Sequence, residues 1–248
     1  MEPHLLIALI CLALSAGFIK GITGFAFPMI MFSGMSVFLE PGEAVALLAF
    51  PLLAVNLLQA FQFGPAAARR EIRACLPMTV ALCIAIIAAA PLVNILEPAQ
   101  LFTVLGLVIT VTAAIQLVGV RLRLPAHLHR PGAIAAGIAA GFCGGFAGVW
   151  APLIVLFLLA LEIDKQTQIV RQGIIYSAGS LVLIAAHHRT GVLGAENLPL
   201  SLLLILPAVL GLGAGAIVLS RLNRTVFVKA TLLVLIAAGI NLLWRAVS

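Results

Sequence analysis

One glycine- and proline-bearing stretch occurs twice in this chain, and the repetition limits the folds open to it. The first copy runs from Gly17 to Pro28 and the second from Gly141 to Pro152. Three glycines and the proline recur at the same spacing, in the pairs Gly17/Gly141, Gly21/Gly145, Gly24/Gly148 and Pro28/Pro152. Each pair is 124 residues apart, which is half of the 248 in the chain. This offset predicts an internal duplication of the whole chain.

Both copies lie in strongly apolar sequence, which places the chain in a bilayer. Hydrophobic residues make up 63% of the chain and charged residues 9%, whereas soluble domains carry about 25% charged residues. Several segments reach the roughly 20 apolar residues that a membrane-spanning helix needs. The composition therefore excludes a soluble domain and predicts an all-α polytopic membrane protein. The lysines and arginines lie in short clusters between apolar segments, so the net charge of +6 predicts topology rather than nucleic-acid binding.

The apolar segments divide the chain into two halves with the same plan. We predict a first transmembrane repeat over 1–120, a basic cytoplasmic linker over 121–131 and a second repeat over 132–248. Each repeat has a Gly/Pro-broken helical block followed by three transmembrane helices. The predicted segments are 5–39, 44–63, 74–96 and 99–120 in the first half, and 131–161, 168–186, 198–219 and 226–244 in the second.

The orientation of the two halves follows from counting positive charge on each side of the membrane. If the second broken block crosses the membrane once, the repeats run parallel, with eight Lys and Arg residues on the cytoplasmic side and five outside. If it enters and returns, the repeats are inverted and the count becomes eleven on the cytoplasmic side against two outside. The positive-inside rule favours the inverted arrangement, which is a common plan of transporters. About 30 residues are few for two full crossings, so we expect two half-deep arms, re-entrant or hairpin-like, that meet at the glycines.

The repeated Gly-x3-Gly-x2-Gly-x3-Pro motif, in two four-segment halves joined by a basic linker, resembles the sulfite exporter TauE/SafE family of membrane permeases. The resemblance covers nearly the whole chain. It implies transport of sulfur-containing anions such as sulfite, thiosulfate, sulfoacetate and other organosulfonates, without a bound cofactor. The first copy departs from the glycine-richer form, because Lys20 stands where the second copy has Gly144.

The motif glycines have two interpretations. As breaks in helices they expose backbone N–H groups at half-helix N-termini, which attract anions; as small residues they allow close helix packing. Lys20 is a basic residue well inside an apolar block, where it either neutralises an anionic substrate or snorkels to an interface. From the two motifs we predict these substrate-binding residues: Lys20, Gly21, Thr23, Gly24, Gly144, Gly145, Gly148 and Trp150. The predicted hinges are Gly17, Pro28, Gly141 and Pro152.

The segments that follow the motifs carry polar residues at corresponding positions. Asn56 and Ser180 are again 124 residues apart, and Gln172, Tyr176 and Ser180 follow one another at four-residue intervals, on one stripe of a helix. They suit sulfite or sulfonate oxygens, although inter-helix hydrogen bonds explain them equally. The predicted substrate-binding residues of these segments are Asn56, Gln59, Gln172, Tyr176, Ser177 and Ser180. Arg171 is a gate candidate, with a topology anchor as the alternative.

The sequence therefore predicts a secondary transporter, an exporter of a small sulfur-containing anion, that works by alternating access around a midplane site between the repeats. The alternatives are a permease for another small organic anion and a membrane-embedded enzyme; the mid-membrane residues do not supply the convergent acids that such an enzyme needs, so we predict no enzyme. The expected partners are the anion and the lipid bilayer, without nucleic acid; a homodimer is left open. We expect a bacterial inner membrane location with the basic loops cytoplasmic.

Overall fold

The regular elements of the described residues are all helical in a computed structural model of the chain. The structure describes residues 3–35, 37–39, 41–89, 98–119, 123–147, 150–189 and 196–247. The helices are α1 (Pro3–Thr23), α2 (Phe27–Met35), α3 (Pro41–Ala60), α4 (Pro65–Ala89), α5 (Pro98–Leu117), a 3₁₀ turn (Ala126–Leu128), α6 (His129–Ala147), α7 (Ala151–Ala160), α8 (Lys165–Arg189), α9 (Leu198–Arg221) and α10 (Arg224–Val247). Within the described residues, five helices are long and apolar enough to cross a membrane, which fits the predicted polytopic class.

The helix boundaries repeat with the offset of the motif. Adding 124 to the end of α1 at Thr23 gives the end of α6 at Ala147. The same step takes the start of α2 at Phe27 to that of α7 at Ala151, and the start of α3 at Pro41 to that of α8 at Lys165. The duplicated sequence thus forms duplicated local structure.

The first break has a definite backbone cause. Gly24 follows α1 with a positive φ of 85°, a conformation that glycine adopts without the steric cost of a Cβ. Its N–H still donates to the Lys20 carbonyl at 2.6 Å, so the helix closes its last turn and then ends. Pro28 lies in the first turn of α2, where the missing N–H costs no helical bond, and Pro152 has the same place in α7.

The two arms of each broken block are unequal, which corrects the prediction of two half-deep arms. α1 has 21 residues and is about 31 Å long, enough to span the hydrocarbon core alone. α2 has nine residues and is about 14 Å long. The second block has the same form, with 19 residues in α6 and 10 in α7.

Two helices begin earlier than the predicted segments. α4 begins at Pro65 rather than near residue 74, so Arg69, Arg70 and Arg73 lie on its first turns and not in a connection. α6 begins at His129, within the linker predicted over 121–131, and the linker between repeats stays a prediction. Basic residues are good helix formers, and they lower hydropathy without ending a helix.

The chain forms two compact units that do not follow the two sequence halves. Unit 1 comprises residues 1–68 and 169–222, and unit 2 comprises 69–168 and 223–248. Each unit therefore combines helices from both halves of the sequence.

In unit 1, α1 packs closely on α9 through glycines. A Cβ at Gly17 would collide with the Ala208 carbonyl, and one at Gly21 with backbone atoms of Leu212 and Gly215. Gly17 lies against Ala208, and Gly21 lies against Gly215. Residue numbers therefore increase in the same direction along the two helices, so α1 and α9 run parallel. Unit 2 contains the counterpart of this pair, since Gly137 meets Met78 and Gly141 meets Leu82 of α4.

The helix pairs that are equivalent by the offset of 124 run antiparallel. In unit 1, Asn56 of α3 contacts Ser180 of α8, and Ala60 contacts Gly173. Residue numbers therefore increase along one helix while they decrease along the other. In unit 2, Gly106 of α5 lies against Leu243 of α10, and Thr110 lies against Gly239. Both equivalent pairs therefore cross with opposite chain directions.

Candidate functional site

Lys20 lies on the last turn of α1, inside unit 1, and is 1% exposed. Its Nζ donates to the Gly24 carbonyl at 3.3 Å and lies 5.4 Å from the centroid of the Tyr176 ring, within range of a cation–π contact. Among the residues that the structure describes, no carboxylate pairs with it. The side chain is enclosed by protein rather than snorkelling to an interface, and an isolated buried ammonium is costly.

Gln59 and Gln172 join the break from the two equivalent helices α3 and α8. Gln59 Nε2 donates to the carbonyls of Gly24 at 2.9 Å and Ile169 at 3.1 Å, and to Gln172 Oε1 at 3.4 Å. The Gln172 amide also lies against Gly24, where a Cβ would collide with it. The break between α1 and α2 is thus held by one side chain from each sequence half.

Two amide atoms in this cluster are buried without a partner. They are Gln59 Oε1 and Gln172 Nε2, on side chains that are 1% and 0% exposed. Buried polar atoms in proteins are nearly always hydrogen-bonded, because an unpaired one costs about 1–3 kcal/mol. The Gln172 side chain lies against Gly24, whose carbonyl accepts from Lys20 Nζ. The unpaired Gln172 N–H group and the Lys20 amine therefore meet the same residue, and both are donors suited to an anion.

Asn56 and Ser180 bond to each other. Asn56 Nδ2 donates to Ser180 Oγ at 2.9 Å, and Ser180 Oγ donates to the Tyr176 carbonyl at 2.8 Å. The two residues are 0% and 1% exposed. In this structure they form an inter-helix hydrogen bond, the alternative that the sequence left open, while Asn56 Oδ1 lacks a partner.

The other predicted residues of unit 1 lie near this cluster with local partners. Thr23 Oγ1 donates to the Ile19 carbonyl at 2.9 Å, and Ser177 Oγ to the Gly173 carbonyl at 2.7 Å. Gly21 faces α9. Arg171 is half-buried on α8, directly before Gln172.

Gly17 and Gly141 were predicted as hinges, but both lie inside continuous helices. A Cβ at Gly17 would strike the backbone of α9, and one at Gly141 the backbone of α4. Close helix packing, the alternative interpretation, describes both positions. The helix is interrupted instead after Thr23, where Gly24 has a positive φ.

The predicted residues of the second motif belong to unit 2. Trp150 is 2% exposed and packs on Gly144, where a Cβ would meet its indole ring. Gly145 lies in α6, and Gly148 lies outside the described residues. In unit 2 an aromatic ring therefore covers the position that corresponds to Lys20.

Two participants in the cluster were missed by the sequence analysis. The Ile169 carbonyl accepts from Gln59, and a main-chain acceptor carries no sequence signal. Gly173 brings α8 against α3, since a Cβ there would collide with the Ala60 backbone; a glycine next to Gln172 in a polar stripe was an available sign of this contact. In the described part of the chain, no group of three or more His, Cys, Asp or Glu side chains is placed to hold a metal ion.

The helices and this cluster together define a polytopic helical membrane protein with a buried lysine and unpaired polar atoms at a helix break. The family model for the sulfite exporter TauE/SafE family matches residues 9–242, and the chain belongs to this family. This confirms the resemblance found in the motif. Neither a curated protein nor a solved structure matches the chain.

Proposed function

We propose that this protein is a secondary transporter, an exporter, of a small sulfur-containing anion such as sulfite, thiosulfate or an organosulfonate. The observation that carries the proposal is the buried Lys20, which no described carboxylate neutralises and which lies on the same helix break as Gln59 and Gln172. A sulfite or sulfonate group has three acceptor oxygens and a negative charge. The Lys20 ammonium and the Gln172 amide N–H offer it charge-assisted hydrogen bonds, which compensate the cost of removing both ions from water.

The proposed site lies between the repeats. Lys20 and Gln59 come from the first half of the sequence, and Gln172 and Tyr176 from the second. The antiparallel crossings of α3 with α8 and of α5 with α10 support inverted repeats, since equivalent helices in such repeats have opposite directions. Inverted repeats that move around a fixed central site provide alternating access.

The charge distribution supports a bacterial inner membrane location with the basic loops in the cytoplasm. The inverted arrangement puts eleven of the Lys and Arg residues on that side, as the positive-inside rule requires. Arg171, beside Gln172, is proposed as a gate. The membership in a transporter family and a cluster made of amides, a phenol and one ammonium support a transporter and not an enzyme.

The proposal is tested by flux into proteoliposomes with labelled sulfite, thiosulfate and sulfoacetate, alongside acetate for the alternative of a general organic-anion permease. Lys20→Gln is expected to reduce flux at least tenfold, and Lys20→Arg to restore part of it. Lys229→Gln is the matched control, because Lys229 is exposed. Equal loss in the control, or full activity of Lys20→Gln, would contradict the assignment of the site.

A further inference from the structure

The polar cluster of unit 1 has no chemical counterpart in the duplicated sequence. Shifting by 124 positions replaces Lys20 by Gly144, and Gln59 by Leu183. The reverse shift replaces Gln172 by Leu48 and Tyr176 by Leu52. Each of these four side chains is thus exchanged for glycine or leucine at the equivalent position.

The two motifs also exchange large and small residues. In the first motif the long cation Lys20 occurs with Ala26, and in the second Gly144 occurs with Trp150, the equivalent of Ala26. The exchange is physical in unit 2, because the Trp150 indole lies over Gly144 and leaves no room there even for a Cβ. A side chain as long as lysine at position 144 would require this ring to move.

We infer that each chain binds one anion, at the first motif only, and that Trp150 closes the corresponding place in the second motif. This inference rests on the proposed function. Because Gly144 stands in place of Lys20, an anion at the second motif would lose its hydration without this counter-charge, which is strongly unfavourable. The duplication therefore repeats the broken helices in both halves, but the anion-binding side chains occur only at the first motif. Lys20 and Trp150 are the residues that make the two motifs different.

The stoichiometry of binding tests the inference. Purified protein in detergent is titrated calorimetrically with sulfite and with ethanesulfonate. We expect one anion per chain, and we expect Gln172→Leu, which installs the residue of the equivalent position, to weaken all of this binding at least tenfold. Lys20→Gln should have the same effect. Lys229→Gln, at an exposed position of α10, is the control and is expected to leave the number of sites unchanged and the affinity within about twofold.

The outcomes separate this inference from the proposed function. Two anions per chain, or half of the binding heat surviving in Lys20→Gln, would overturn the single site while leaving an anion transporter intact. A Trp150→Phe variant, which keeps an aromatic ring over Gly144, would also overturn it by losing as much binding as Lys20→Gln, because Trp150 would then belong to the binding surface. Failure of the wild-type protein to bind any tested anion would refute the proposed function, and the inference with it. Size-exclusion profiles matched to the wild type establish that each variant is folded.

Discussion

Replacement of Gly24 by alanine tests the helix break most selectively. Gly24 has a φ of 85°, and the Gln172 amide occupies the position that a Cβ on residue 24 would take. Gly64 has nearly the same backbone conformation, with a φ of 88°, but nothing lies within 4 Å of its Cβ position. Gly24→Ala therefore combines backbone strain with a displaced amide, whereas Gly64→Ala has the strain alone.

The expected magnitudes follow from this pair. A left-handed alanine costs about 1–2 kcal/mol, so Gly64→Ala should lose about this much free energy of unfolding, and Gly24→Ala should lose more because its Cβ also displaces the buried Gln172 amide. In Gly24→Ala the displaced Gln172 amide no longer accepts from Gln59 and no longer points its N–H at the anion. A hydrogen bond to a charged group contributes about 1.5–3 kcal/mol, which corresponds to an affinity loss of roughly 10- to 150-fold.

Two measurements on both variants are needed. Thermal unfolding in detergent should shift further in Gly24→Ala than in Gly64→Ala, and calorimetric binding of sulfite should fall only in Gly24→Ala. Equal affinities in Gly24→Ala and Gly64→Ala would refute the assignment of the anion to this break. A Gly24→Ala variant that is both stable and fully active would further show that the positive φ and the contact with Gln172 are dispensable.

Three further predictions concern other contacts of the protein. Ser180→Ala should destabilise the protein by about 1–3 kcal/mol, because it leaves the buried Asn56 Nδ2 unpaired. Asn56→Ala should cost less, about 0.5–1.5 kcal/mol, because Ser180 Oγ still donates to the Tyr176 carbonyl. The double variant should cost less than the sum, and calorimetry establishes whether sulfite affinity changes as well. Gly17→Ala should lower the yield of folded protein, since its Cβ would collide with α9. Gly213→Ala, in the same helix pair, places its Cβ in open space and should stabilise the protein by up to about 1 kcal/mol through helix propensity. Similar yields of the two variants would contradict the packing role of Gly17. Burial acts to raise the pKa of Asp164, but hydrogen bonds from Thr167 and Gln166 outweigh it and hold the pKa below its usual value. Its stabilisation of the start of α8 is therefore present above the pKa of the unfolded state and is lost as pH falls through the lower pKa of the folded state, so Asp164→Ala should cost about 0.5–2 kcal/mol at pH 7 and much less in acid; a cost independent of pH would contradict this.

Most of the fold was predictable from the repetition in the sequence. The offset that pairs Gly24 with Gly148 also gives the shared ends of α1 and α6 and the shared starts of α3 and α8, because the same local signals recur. The unequal arms could not be predicted, since α1 and α2 are both apolar and hydropathy alone does not locate a break between them. Arg69 and Arg73 were assigned to a connection for a similar reason, because charge was taken as the end of a helix that in fact begins earlier.

The polar cluster at the first break was predictable in its residue types and not in its contacts. Lys20, Gln59, Gln172 and Tyr176 were identified as polar groups in apolar segments, and the structure brings them to one break. The sequence could not decide whether Asn56 and Ser180 face a substrate or each other, since both arrangements satisfy a buried amide and a hydroxyl. It also could not reveal that Trp150 covers Gly144, because that contact depends on the path of the chain between α6 and α7.

The most direct test of the account is an experimental structure with 2-bromoethanesulfonate, an organosulfonate whose bromine identifies the ligand by anomalous scattering. The account predicts one sulfonate per chain, with oxygens within hydrogen-bonding distance of Lys20 Nζ and Gln172 Nε2 beside Gly24. A bromine signal beside Trp150, or elsewhere in the protein with the Lys20 cluster unoccupied, would contradict it.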